Sequence, residues 1–211
     1  MPASVRKATS VLDLFSVERP YWGPTEVAEA LGVAKSTAHA LLSDLTGAGL
    51  TERMPCGRYM LGWRTVDLAR TKLGAYRDNV APAARRLARH FGETVHLTAW
   101  ERGNVLYVAS ERPSGGVAAP AAPVPAPLTP PGTVLLAERG ELDADERERT
   151  LRRGFAIGAQ RALDGVDCVA APVRTGPVST ALALCAPRDR FRARSDEYAR
   201  AITGVARSVR H

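Results

Sequence analysis

The chain has 211 residues, 45% of them hydrophobic and 24% charged, which excludes a wholly disordered polypeptide and allows one sizeable domain or two small ones. A formal net charge of +7 favours an anionic partner without choosing between nucleic acid, an acidic ligand and a membrane surface. Three cysteines, Cys56, Cys168 and Cys185, are too few and too far apart for a disulfide framework or a zinc site, so a reducing cytoplasm is expected.

Val5, Ala8, Leu12 and Phe15 recur at helical spacing and predict an amphipathic helix over residues 4–16, whose charges argue against a secretory signal. Gly23-Pro24 opens a second helix that buries Val27, Ala28 and Leu31 and stops at Gly32. A third helix, 35–46, turns Ala38, Leu41, Leu42 and Leu45 inward. Short strands at 50–54 and 58–61 flank the turn Pro55-Cys56-Gly57. Val66, Ala69, Leu73 and Tyr76 then mark a connecting helix.

The pattern changes near residue 78. Val80, Ala84, Leu87 and Phe91 predict a helix, and strands 94–101 and 104–110 meet at Arg102-Gly103 as a hairpin. Residues 113–131 hold 7 of the 15 prolines, so they are expected to be extended or looped. The charged run 138–153 reads as a solvated helix face. The most apolar window, 168–187, contains Arg174 and Gly176-Pro177, and reads as part of a pair of buried strands (166–174 and 178–185) around a turn, not as a membrane span. Phe191, Tyr198, Ile202, Val205 and Val209 form one last helical stripe.

Residues 23–62 thus follow the order of a winged helix-turn-helix. The outer side of the third helix carries Lys35, Ser36, Thr37, His39, Ala40 and Ser43, small enough to enter a major groove and equipped with short donors. Ser36 and Thr37 lie at the end of the helix that favours phosphate, and Arg53 and Arg58 lie on the wing strands. Bulk charge does not single out this half: residues 1–78 hold 10 basic and 8 acidic side chains, a net of +2, so a DNA face must come from local placement. The run AKST at 34–37 lacks the glycines of a phosphate-binding P-loop. His39, His90, His96 and His211 lack metal-ligand spacing, and His96 reads as an ordinary strand residue. Cys168 shows no nearby base and reads as a small buried core residue. Neither a catalytic constellation nor a cofactor or metal site is expected.

The runs SVRKATSVLDLFS and GPTEVAEALGVAKSTAHALLSDLTGAGLTERMPCGRYMLG resemble the N-terminal domain of the IclR family of bacterial transcriptional regulators. ARRLARHFGETVHLTAWERGNVLYV, RRGFAIGAQRALDGVDCVAAPV and ALALCAP resemble its effector-binding domain. The resemblance implies an α+β two-domain protein: a winged helix-turn-helix over 1–62, a linker helix over 63–78, and a shortened GAF/PAS-like effector-binding or oligomerisation domain over 79–211. It implies a cytoplasmic homodimer, with a dimer of dimers open, on a palindromic DNA operator. The candidate DNA contacts are Arg6, Thr25, Lys35, Ser36, Thr37, His39, Ser43, Arg53, Arg58 and Tyr59. The candidate effector site comprises Leu128, Gly132, Gly158, Val166, Cys168, Ala183 and Cys185.

Two departures from the family stand out. Only 14 residues separate Ala137 from Arg152, where relatives carry a longer helical stretch. The positions at which acid-binding relatives place a carboxylate, a Cys and two serines fall on Gly158, Cys168, Ala183 and Cys185, of which only the first Cys matches. A pocket that is more apolar, smaller or vestigial is therefore expected, and not one for a short polar acid such as glyoxylate. A ligand-responsive regulator is the leading reading. The alternatives are a DNA-binding regulator whose ligand domain serves only oligomerisation, and a ligand-binding or enzymatic domain with an idle N-terminal domain.

Overall fold

The structure, a computed structural model, describes residues 2–173 and 180–209. It divides into two compact units, Met1–Gly74 and Ala75–His211.

The first unit contains α1 (Ala3–Leu12), α2 (Pro24–Leu31), α3 (Lys35–Gly47) and the antiparallel ribbon of β1 (Thr51–Arg53) and β2 (Tyr59–Leu61). Pro24 occupies the first turn of α2, where its missing N–H costs no helical bond, and the Glu26 carboxylate accepts the Gly23 N–H at 2.6 Å. Gly32 ends α2 at φ 63°, a left-handed turn that redirects the chain into α3. Val11, Val27, Ala38 and Leu42 are fully buried at the centre of this unit. Trp22 exchanges two backbone hydrogen bonds with Tyr59, tying the ribbon to the segment before α2, and its indole N–H donates to the Leu14 carbonyl at 2.9 Å.

The helix α4 (Trp63–Asn79) runs across the boundary between the units and leads to α5 (Ala81–Phe91). The second unit holds a six-stranded antiparallel sheet ordered β5-β4-β3-β8-β7-β6. Its strands are β3 (Thr94–Glu101), β4 (Asn104–Glu111), β5 (Val124–Pro125), β6 (Ala156–Ala159), β7 (Val166–Val173) and β8 (Thr180–Pro187). Arg102 and Gly103 join β3 to β4 with φ of 49° and 85°, the paired positive values of a tight hairpin turn. One face of the sheet packs on α5 and on α8 (Arg188–Ser208), where Phe91, Tyr198 and Ile202 are buried. The other face is covered by α6 (Pro130–Arg139), which buries Val134, Leu135 and Leu136 against it, and α7 (Ala144–Arg153) packs on α6.

Three features differ from the sequence reading. The proline-rich stretch does not stay irregular to its end, because Pro130 and Pro131 form the first turn of α6 after a short 3-10 turn at Ala126–Leu128. Residues 156–159 form an edge strand that has no periodic signature of its own. Cys168 and Cys185, 17 positions apart in sequence, face each other across β7 and β8 with Cα atoms 4.2 Å apart and form a disulfide. Spacing along the chain hid a pair that strand register creates. The turn expected at Gly176-Pro177, with Arg174 and Val178, lies outside the described residues.

Candidate functional site

In the first unit, α3 presents two chemically distinct sides. Ala38, Leu42 and Leu45 are buried in the core, while Lys35, Ser36, His39 and Ser43 are exposed and Thr37 is half-buried. Ala34, which precedes the helix, makes no side-chain capping bond, so the first N–H groups of α3 have no side-chain cap. An anion placed there meets backbone donors, the positive end of the helix dipole, two hydroxyls and the Lys35 ammonium together. Thr25, in the first turn of α2, is exposed, as are Arg6 on α1 and Arg53 on β1.

Two of the expected DNA contacts have other work. Tyr59 is only 3% exposed and belongs to the core, where its backbone bridge to Trp22 holds it. Arg58 donates to the Tyr21 carbonyl at 2.9 Å and to the Glu26 carboxylate at 2.9 and 3.2 Å, so it braces the ribbon against α2. Glu26 also receives Arg19 at 2.8 Å. The Gly23 N–H, and after it the guanidinium of Arg58, hold the Glu26 carboxyl below its ordinary range. Arg19, which the sequence reading passed over, lies with its guanidinium 3.5 Å above the Trp22 ring.

In the second unit, five of the seven expected effector residues lie on the sheet face beneath α6. Gly158, Cys168 and Cys185 lie in register across β6, β7 and β8, with Ala183 and Val166 on the same face. Cys168, Ala183 and Cys185 are at most 1% exposed, and a side chain at Gly158 would meet nothing within 4 Å. Gly132 lies in the first turn of α6, where its N–H donates to the Thr129 hydroxyl at 3.0 Å and a Cβ would overlap the Ala126 carbonyl. Leu128 is 36% exposed at the end of the 3-10 turn. The disulfide removes the thiol that the sequence reading kept at Cys168 as the one surviving polar group.

The polarity of this cup comes instead from residues to which the sequence reading gave no role. His96 on β3 is fully buried, and its Nδ1 shares a hydrogen with the Ser110 hydroxyl at 2.8 Å while Nε2 has no partner. Burial, and next the nearby Arg112 guanidinium, push its pKa down to about 4, so the ring is neutral at pH 7. Tyr107 packs edge-on to His96 and accepts a hydrogen bond from the Gln160 amide, and burial pushes its phenol up to about 12. Thr94 Oγ1 is buried without a partner. Pairing of β3 with β4 brings His96, Ser110 and Tyr107 together, and Gln160 reaches Tyr107 from the end of β6.

A separate cleft of about 550 Å³ opens between α6, α7 and the end of α8, lined by Val134, Leu151, Phe155, Thr203 and Arg207. Among the described residues no cluster of three His, Cys, Asp or Glu side chains could hold a metal ion, and no helix is long and apolar enough to cross a membrane.

Known proteins resemble this chain in both sequence and fold. Residues 4–55 match the model of the IclR helix-turn-helix domain. The glycerol operon regulatory protein of Streptomyces coelicolor is 30% identical over 198 residues, 81% of this chain and 78% of that protein. The HTH-type transcriptional regulator XynR of Escherichia coli K12 is 28% identical over 202 residues, 81% of this chain and 79% of that protein. An IclR homolog from Microbacterium hydrocarbonoxydans, solved in complex with 4-hydroxybenzoate, superposes with a TM-score of 0.76 at 21% identity, covering 98% of this chain and 100% of that one.

Proposed function

Because the chain belongs to the IclR family of transcriptional regulators, we propose that it reads an operator through the exposed side of α3 and that a small molecule in the cup beneath α6 sets its affinity for DNA. The observation that carries the first part is the division of α3 into a buried apolar side and an exposed side of Lys35, Ser36, His39 and Ser43. Lys35, Ser36 and the uncapped N–H groups hold phosphates, and Thr37, His39 and Ser43 meet base edges. Arg6, Thr25 and Arg53 add contacts to the flanking backbone. The protein acts as a homodimer on a palindromic site, with α4 setting the separation of the two recognition helices.

For the second part, the support is the placement of five of the candidate effector residues on one sheet face beneath α6, and the 4-hydroxybenzoate held by a protein of the same fold. Effector control requires a difference in affinity of about 1–3 kcal/mol between the two states of the protein. The test is binding of the full chain to a labelled fragment from upstream of its own gene, at about 50 and 200 mM salt, with random competitor present. Specific, salt-sensitive binding that a Ser36→Ala/Thr37→Ala variant loses supports the reading. Failure to bind any duplex at low salt overturns it.

A further inference from the structure

The cleft between α6, α7 and the end of α8 lies where β7 outruns its neighbour. β6 has four residues against eight in β7 and pairs with it only from Asp167 to Ala170, so the edge of β7 is open at Ala171 and Pro172. Both residues line the cleft, whose volume of about 550 Å³ is in the range of small-molecule sites. The walls are mostly apolar: Val134, Ala171, Ala206 and Val209 are buried and Phe155 is half-buried. Val134 alone is shared with the packed core beneath α6, so the cleft is distinct from the cup. Pro172 has no N–H to donate, which leaves this edge poorly suited to receive a further strand.

Few polar groups reach the cleft. The Thr150 hydroxyl, on a residue 8% exposed, has no hydrogen-bond partner among the described residues. Arg207 makes no ion pair or hydrogen bond among the described residues, and its guanidinium lies over Gly154, 3.3 Å from where a Cβ would stand. Gly154 ends α7 at φ 74°, so one glycine both closes the helix and leaves room for the cation. Glu138, the one carboxylate among the described lining residues, already has a partner. Past Arg207 the cleft joins a groove with Arg153, Arg200 and Asp196, and past Thr150 a recess with Glu146, Arg149 and Arg153. Guanidiniums therefore outnumber carboxylates, and Arg207 is the one that lines the cleft itself. The carbonyl ends of α7 and α8, each worth about half a negative charge, are offset by Arg152, Arg153 and Arg207 in their last turns.

We propose that this cleft is a second small-molecule site, which takes an organic carboxylate with its apolar body against Val134, Leu151 and Val209 and its anionic head on Arg207. A guanidinium holds a carboxylate through charge-assisted hydrogen bonds, whereas an ammonium would meet it as a like charge. The Thr150 hydroxyl supplies a further polar contact from the wall. The proposal is independent of the reading of the cup as the effector site.

The test titrates the full-length protein with octanoate, octanol and octylamine, which share one chain length and differ in the charge of the head. Calorimetry on the wild type is expected to give octanoate about tenfold tighter binding than octanol, the lower end of what a hydrogen bond to a charged group contributes, with octylamine weakest. In Arg207→Met, a change at an exposed side chain, the octanoate-to-octanol ratio falls to near one while octanol binding changes less than about twofold, and Arg207→Lys recovers part of the ratio. A purely structural role for Arg207 would weaken both probes together. Photo-crosslinking with a diazirine-bearing octanoate places the site, with labels expected on peptides spanning 148–155 and 203–209. Should the Met variant fail to fold, the wild-type ratio and the labelled peptides carry the test alone. Octanol or octylamine binding as tightly as octanoate, an unchanged ratio in a folded Arg207→Met variant, labels confined to other peptides, or no binding of any probe overturns the proposal.

Discussion

Acidification should destabilise the second unit through one identifiable side chain. His96 is fully buried and held neutral, with a pKa near 4 against an ordinary value of 6.5. Above pH 6.5 the ring is neutral in both the folded and unfolded chain, and this linkage costs nothing. Between pH 6.5 and 4 the unfolded chain takes up a proton that the native one refuses, so stability falls as the pH drops. Going from pH 7 to about pH 4.5 therefore removes about 2 kcal/mol, and the loss levels off near 3 kcal/mol once the native ring also protonates. Carboxylates titrate in the same range, so the informative quantity is the difference between the wild type and His96→Phe. Urea denaturation read by hydrogen exchange of β3 and β8 peptides confines the signal to this unit. The wild type should lose about 2 kcal/mol more than the variant over that interval. Parallel losses in the two proteins would refute the claim that a neutral, buried His96 sits in the cup.

Other consequences follow from single contacts. Lys35→Ala should lower the slope of log affinity against log salt by about 1 per bound protomer while leaving the preferred sequence unchanged, measured by fluorescence anisotropy across a salt series. Leu42→Ala removes a fully buried side chain under the recognition helix and should cost about 2–5 kcal/mol in urea denaturation of the first unit. Reducing the Cys168–Cys185 disulfide, which closes a separation of 17 residues, should cost the second unit about 3 kcal/mol, seen as a lower thermal midpoint with reductant that a Cys168→Ala/Cys185→Ala variant does not show.

Much of this architecture was legible because it is local. Apolar spacing marks α1 to α3, and Gly23-Pro24 and Gly32 bracket α2 by known capping chemistry. The strands β3, β4, β7 and β8 are apolar runs with clear turn signals between β3 and β4. What escaped depends on pairing. Tyr59 reads from sequence as a wing residue free to touch DNA, yet its backbone pairing with Trp22 holds it in the core of the first unit. The four residues of β6 include a glycine and two alanines and carry no periodic pattern, so only β7 defines them as a strand. The disulfide and the His96 cluster share the same cause: Cys168 meets Cys185, and His96 meets Ser110, Tyr107 and Ala183, only once register is fixed. The division of α3 into a buried apolar side and an exposed polar one is legible in its spacing, whereas the buried polar groups of the cup lie mainly on β3 and β4 and are defined only by strand register.

The central claim is that the exposed side of α3 reads DNA sequence. In vitro selection from a random duplex library, run with the wild type and with Ser36→Ala/Thr37→Ala, tests it most directly. The account predicts that the wild type enriches an inverted repeat whose half-sites lie about one helical turn, or a multiple of it, apart. It also predicts that the variant, folded by circular dichroism, enriches no such motif. An identical motif from both proteins, or no motif from the wild type, would contradict it.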